Sequence, residues 1–126
     1  MFEHIDPRSA TPLYAQIADR VRVAIAAGHL RPADALPSVR QLAGELRVNP
    51  ATVVQAYRDL ETSGFVETRE REGTFVRELA PERRARERAR HATSLVRRLL
   101  ADAARLGVAV QDLQAAITEE IGAPTP

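Results

Sequence analysis

Gln55 and Arg58 stand three residues apart in the segment NPATVVQAYRDLETS, residues 49–63, with the methyl-bearing Ala51 and Val54 beside them. On a helix these four share one face with Thr62, while Thr52 and Asp59 fall on its flanks. Glutamine can bond bidentately to adenine, arginine can reach guanine or phosphate, and small methyl groups can touch the thymine methyl. The mixture therefore suits a DNA major groove. Taken alone, such a face is more often simply solvated, so the elements that position it must decide.

The segment is bounded locally. Asn49 is a good N-cap, Pro50 fits the first helical position, and Gly64 stands where a left-handed residue ends a helix. Val53, Ala56, Tyr57 and Leu60 recur at i, i+3, i+4 and i+7, which gives the helix a buried stripe opposite its polar face. Upstream, Ser38 caps a short helix with Val39, Leu42, Ala43 and Leu46 as its apolar positions, and only Val48 and its neighbours separate the two. Two short helices joined by so tight a turn form a helix-turn-helix.

Further upstream, Thr11 and Pro12 repeat the cap-plus-proline device, and Tyr14, Ile17, Ala18, Val21 and Ile25 set a stripe that closes at Gly28. This predicts a helix over roughly residues 12–27. The following HLRPADALP is a connection with a short strand around Ala35 and Leu36. Residues 1–10 form an arm whose Phe2 and Ile5 can dock on this domain or on a second subunit.

After Gly64 the period falls to two: Phe65 and Val66 lead into Glu67, Thr68 and Arg69, and Gly73 precedes Thr74, Phe75 and Val76. A β-hairpin with the charged tip REREG is a wing. Arg69 and Arg71 could reach phosphate or the minor groove, although Glu70 and Glu72 beside them also fit a solvated turn.

The composition narrows the function classes. A chain of 126 residues is a small domain with an appendage, too small for a large catalytic cavity. All 18 cationic side chains are arginine, set against 17 acids, so any phosphate-binding patch must come from arrangement rather than net charge. Cysteine is absent, which excludes disulfides, thiol catalysis and cysteine metal sites. His4, His29 and His91 have no ligand-like spacing, and no nucleophile–base pair or phosphate loop is visible. The expectation is no catalytic residue, no metal and no cofactor. With no basic, apolar leader and no apolar run of ~20 residues, a cytoplasmic protein with no membrane partner is expected.

Residues 2–77, with LPSVRQLA, VNPATV, GFVETR and GTFV in that order, resemble the winged-helix domain of GntR-family bacterial transcription regulators. The IDP start, the AYRDLE of the recognition helix and the short tail look most like the small YtrA-like subfamily. The resemblance implies that Arg40 is the family's arginine at the start of the second helix, commonly a DNA contact. It also implies that Asn49, Thr52 and Gln55 occupy recognition-helix positions and that Gly73 is the wing glycine approaching DNA closely. Pro50 and Val54 depart from it: long-tailed GntR regulators often have base-contacting arginines there. Arg71 departs too, standing where a glycine is usual. Control of an operon for an ABC transporter is a further implication of the resemblance.

Glu78 to Pro81 reads as a linker, after which PERRARERAR begins a helix so charged that it should be largely solvated. Ala92, Leu95, Val96, Leu99, Ala103 and Leu106 form a stripe ending at Gly107, and Val110, Leu113, Ala116, Ile117 and Ile121 form a second, with no strong N-cap at Ala109. Such a helical hairpin has too little core to stand alone. A second copy is the natural cover, through Leu95, Val96, Leu99, Ala103, Leu106, Val110, Leu113 and Ile117; folding back on the winged helix is the alternative.

The expected fold is mainly α with a small β-hairpin: an arm (1–10), a winged helix-turn-helix (11–77), a linker (78–81), a C-terminal helical hairpin for dimerisation (82–122) and a frayed tail (123–126). The expected function is a homodimeric regulator, a repressor more than an activator, binding a palindromic double-stranded operator. Asn49, Thr52, Gln55 and Arg58 would orient and read the groove. Arg40, Arg47, Arg69 and Arg71 would supply phosphate or minor-groove contacts. A small-molecule effector would have to bind at the dimer interface or between tail and wing, and no motif identifies one. A low-specificity architectural DNA binder and a winged-helix protein-interaction module are the competing readings.

Overall fold

The computed structural model describes residues 1–3 and 5–122; His4 and the expected frayed tail 123–126 lie outside the described residues. Helix α1 spans Leu13–Ala26 and buries Ile17, Ala18, Val21, Ala24 and Ile25. The cap expected from Thr11 is not made. Pro12 itself holds the N-cap position, and no side chain caps the helix. Gln16 instead ties the arm down: its Nε2 donates to the carbonyls of Asp6 and Thr11, and its Oε1 accepts from the Asp6 N–H, each at 2.8 Å. Phe2 and Ile5 pack against the core of this same domain, so the arm docks on its own chain.

Ser38 caps α2 (Val39–Leu46) by accepting from the Gln41 N–H at 3.1 Å, and Asn49 caps α3 (Pro50–Thr62) by accepting from the Ala51 N–H at 2.9 Å. Arg47 takes a left-handed conformation between them, φ +56°, and the Val48 N–H returns to the Ala43 carbonyl at 3.1 Å. That one residue sets the turn. Helix α3 closes where Gly64 adopts φ +83° and the Phe65 N–H reaches back to the Leu60 carbonyl at 2.9 Å.

Strands β1 (Val66–Arg69) and β2 (Gly73–Val76) pair antiparallel in the register Val66 to Val76 and Arg69 to Gly73. The expected strand near Ala35 is a single bridge to Phe75. It is reinforced by Leu36 N–H to Thr74 O and Val76 N–H to Asp34 O, both 2.8 Å. The α1–α2 connection thereby becomes a third lane on the wing. Phe65, Ile17, Leu42, Leu60, Val21, Val53 and Val66 are the largest fully buried side chains, drawn from all three helices and β1 with its approach.

Residues 78–81 are not the linker that composition suggests. Leu79 is buried in the core, α4 (Pro81–Leu106) begins at Pro81, and the first compact unit runs to Arg88. The charged helix start is largely exposed, as its composition suggests, with Arg83 and Arg84 half-buried and Glu87 buried as exceptions. Arginine stems carry enough methylene surface to pack while the charge finds a partner.

The second unit begins at Ala89 and contains the rest of α4 and α5 (Val110–Ile121). Gly107, φ +74°, ends α4 with the Val108 N–H on the Ala103 carbonyl at 2.8 Å, and Ala109 gives α5 no side-chain cap. The two tail helices do not pack along each other. Among the described residues of this unit only Ala103 is buried.

Gly64 and Gly28 share a left-handed backbone, but a Cβ on Gly64 would meet Arg83 Nη1 at 2.9 Å, whereas a Cβ on Gly28 would meet nothing. Gly28→Ala should therefore cost about 1–2 kcal/mol in urea unfolding, the backbone penalty alone. Gly64→Ala should cost measurably more. Equal losses would show that Arg83 moves aside freely.

Candidate nucleic-acid interface

The exposed face of α3 carries Ala51, Gln55, Arg58 and Thr62, with Thr52, Val54 and Asp59 half-buried at its margins. Asn49 uses its side-chain oxygen to cap the helix, which fixes the carboxamide at the entry of α3 with its amide hydrogens still available. Arg40, the second residue of α2, and Arg47, at the turn, are exposed.

The arginines divide by partner. Arg40, Arg47, Arg58 and Arg71 form no ion pair among the described residues, whereas Arg69 bridges Glu67 at 2.9 Å and lies 4.4 Å from the centre of the Phe75 ring. Arg69 is thus laid flat along the wing with its charge partly balanced. Arg71 is at the tip. The Glu72 N–H closes the turn onto the Arg69 carbonyl at 3.0 Å, and Arg71 takes φ +65°, a left-handed conformation that favours glycine. Gly73 adopts φ +117° with open space around it, so backbone conformation rather than crowding calls for glycine there.

Three braces hold α3 in place, none of them readable from spacing. The Tyr57 hydroxyl donates to the Pro37 carbonyl at 2.7 Å, tying the buried side of α3 to the entry of α2. Arg22 of α1 bridges Asp59 at 2.9 Å and donates to Ser63 Oγ at 3.4 Å. At the end of the helix, Arg83 Nη2 donates to the Ser63 carbonyl, and its guanidinium lies 4.8 Å from the Phe65 ring centre. A cation at a helix C-terminus also opposes the negative end of the helix dipole. A further bond from Thr68 Oγ1 to the Glu61 carboxylate links wing to helix. Asp59, seen in the sequence only as a flank residue, is a structural anchor whose partner lies 37 positions away.

Most of the predicted dimerisation residues are exposed. Leu95 is 64% exposed, Leu106 73% and Val110 54%; Val96, Leu99 and Ile117 are exposed, Leu113 is half-buried and Ala103 is buried. Leu100 and Val108, outside the expected stripes, are exposed as well. No group of three or more potential metal ligands occurs among the described residues, and no described helix is long and apolar enough to cross a membrane.

The family described as "Bacterial regulatory proteins, gntR family" matches residues 13–76. The HTH-type transcriptional repressor YtrA of Bacillus subtilis (strain 168) is 37% identical over 115 residues, which cover 91% of this chain and 88% of that protein. Among solved structures, YtrA from Sulfolobus acidocaldarius, a GntR-family transcription factor, is similar with TM-score 0.60 and 38% identity, over 75% of this chain and 99% of that one. The AraR DNA-binding domain in complex with operator ORX1 is similar with TM-score 0.52 and 29% identity, over 56% of this chain and 88% of that chain.

Burial, and secondarily the Glu45 carboxylate, raise the Tyr57 phenol well above the ordinary tyrosine range. The unfolded chain loses that proton near pH ~10 while the folded chain keeps it. Stability from this group is therefore full below that pH and declines as pH rises above it. Tyr57→Phe should cost about 1–3 kcal/mol at pH 7, since the Pro37 carbonyl loses its partner. The same variant should flatten the alkaline decline in a series of urea titrations from pH 8 to above 10.

Proposed function

Because this chain belongs to the gntR family of bacterial regulatory proteins, and is on that ground a DNA-binding transcription regulator, we propose that it acts as a homodimeric, sequence-specific repressor. The observation that carries this reading is the face of α3. Gln55 and the unpaired Arg58 project from a helix capped at Asn49 and braced at Tyr57, Asp59 and Ser63, with unpaired Arg40 on α2, Arg47 at the turn and Arg71 on the wing. Held side chains lose less freedom on meeting DNA than loose ones.

In this reading Gln55, Thr52 and Arg58 meet base edges, with the methyls of Ala51 and Val54 against thymine. Asn49 orients the helix entry, Gly73 lets the wing backbone come close, and Arg40, Arg47, Arg69 and Arg71 meet phosphate or the minor groove. Phosphate contacts set register, and base contacts carry the sequence information.

A second copy is the proposed cover for the tail. The exposed Leu95, Val96, Leu99, Leu106, Val110 and Ile117 support that reading, because stripes this apolar are stabilised by removal from water. A two-fold dimer calls for a palindromic operator with half-sites about one helical turn apart. The regulator would work in the cytoplasm, and the resemblance of its sequence to the YtrA-like subfamily implies control of an operon such as one for an ABC transporter.

Selection of bound duplexes from a random pool, followed by footprinting, should recover a palindrome. Gln55→Ala should cost about 1–3 kcal/mol on that site and relax one position in each half. Arg40→Ala should weaken operator and random duplex alike and lower the salt slope by about 1. Equal losses on both DNAs for Gln55→Ala would remove it from base reading.

The double variant Leu95→Glu, Leu99→Glu should sediment as a monomer and lose operator affinity while keeping the circular dichroism of a folded winged helix. A parent chain that sediments as a monomer at operator-binding concentrations would rule out the dimer.

A further inference from the structure

A cavity of about 60 Å³ lies at the root of α4, within the winged-helix unit and apart from the reading face. Ile25, Leu30 and Leu79 give it apolar walls, and Arg31, Arg77 and Arg84 supply its charged lining. No acidic residue lines it. Nor does any of the three arginines form an ion pair among the described residues. Of the acids close in sequence, Asp34 accepts from the Arg31 backbone N–H at 2.8 Å, Glu78 and Glu82 are exposed, and the buried Glu87, three residues after Arg84, is not among the lining residues.

Arg84 sharpens the point. Its Nε is shut off from solvent and has no hydrogen-bond partner. A buried charged donor left unmatched is costly, and three arginines bordering one small space favour negative charge there. Planar guanidinium forks match carboxylate and phosphate oxygens, two bonds to a fork.

We propose that this cavity binds the oxyanion head group, carboxylate or phosphate, of a small ligand. Its volume sets the limit: a water molecule's share of the liquid is ~30 Å³, and pockets that enclose whole drug-sized ligands start near ~300 Å³. The head group enters, and the remainder of the ligand lies outside along the apolar wall.

The site is not part of the DNA surface described above. Arg77 follows β2, whose other end is at the wing tip, four residues or ~13 Å away along the strand. Arg83, the neighbour of Arg84, touches Ser63 at the opposite end of α3 from Asn49, ~20 Å along that helix. A bound anion would join the end of α1, the exit of the wing and the first turn of α4.

The test is thermal unfolding of the full chain, without DNA, against orthophosphate, acetate and propionate, each balanced with chloride to constant ionic strength. A saturating rise in Tm of several degrees with at least one of them is expected. A rise with orthophosphate alone assigns the head group as phosphate, and a rise with the carboxylates alone assigns it as carboxylate. Arg77→Ala and Arg84→Gln should weaken the response on the order of tenfold or more, while Arg40→Ala, Arg71→Ala should retain it. If Arg84→Gln does not fold, the exposed Arg77 decides. A rise that fails to saturate, that survives both cavity variants, or that disappears with Arg40 and Arg71 overturns the proposal.

Discussion

The winged helix is tied together at Phe65. Its backbone N–H closes α3 on the Leu60 carbonyl, its carbonyl accepts the Arg77 N–H at 2.9 Å on the exit from the wing, and its ring is 1% exposed in the core. Two guanidinium groups then lie over that ring, Arg22 of α1 at 5.4 Å and Arg83 of α4 at 4.8 Å. Each such contact is worth about 0.5–2 kcal/mol depending on desolvation. Their value here is geometric, because the same side chain fixes where the reading helix ends, where the wing leaves it and where the tail begins.

A near-neutral domain can bind a polyanion only if its charges are sorted. Glu67 holds Arg69 along the wing and Asp59 holds Arg22 beneath α3, while Arg40, Arg47, Arg58 and Arg71 are left without ion pairs. Pairing some cations and exposing others makes a local positive field from a composition that has almost none overall. At Pro50 and Val54, α3 offers a fixed helix start and a methyl surface with no charge.

What the sequence made legible were features written within a few residues. The caps at Ser38 and Asn49, the glycine stops at 28, 64 and 107, the change of period after Gly64 and the strand-like Ala35 all follow from neighbouring side chains. Thr11 misled because a proline after a threonine marks a helix start without saying which residue occupies the cap. The stretch 83–90 is largely exposed, as its charge suggests, but counting charges hides the exceptions. A run of charge looks solvated when residues are counted, yet one arginine among them sits on a buried ring and a glutamate is itself buried. The braces on α3 join residues 20 to 41 positions apart, and no local pattern encodes such a pairing.

The bridge from Ala35 to Phe75 also decides which edge of the wing is open. It covers the outer side of β2, so that strand is paired on both sides and β1 has the open edge. That edge is four residues long and carries Glu67 and Arg69 in mutual embrace. Short, charged edges resist strand-to-strand addition between molecules. The wing is thus a poor seed for β-association.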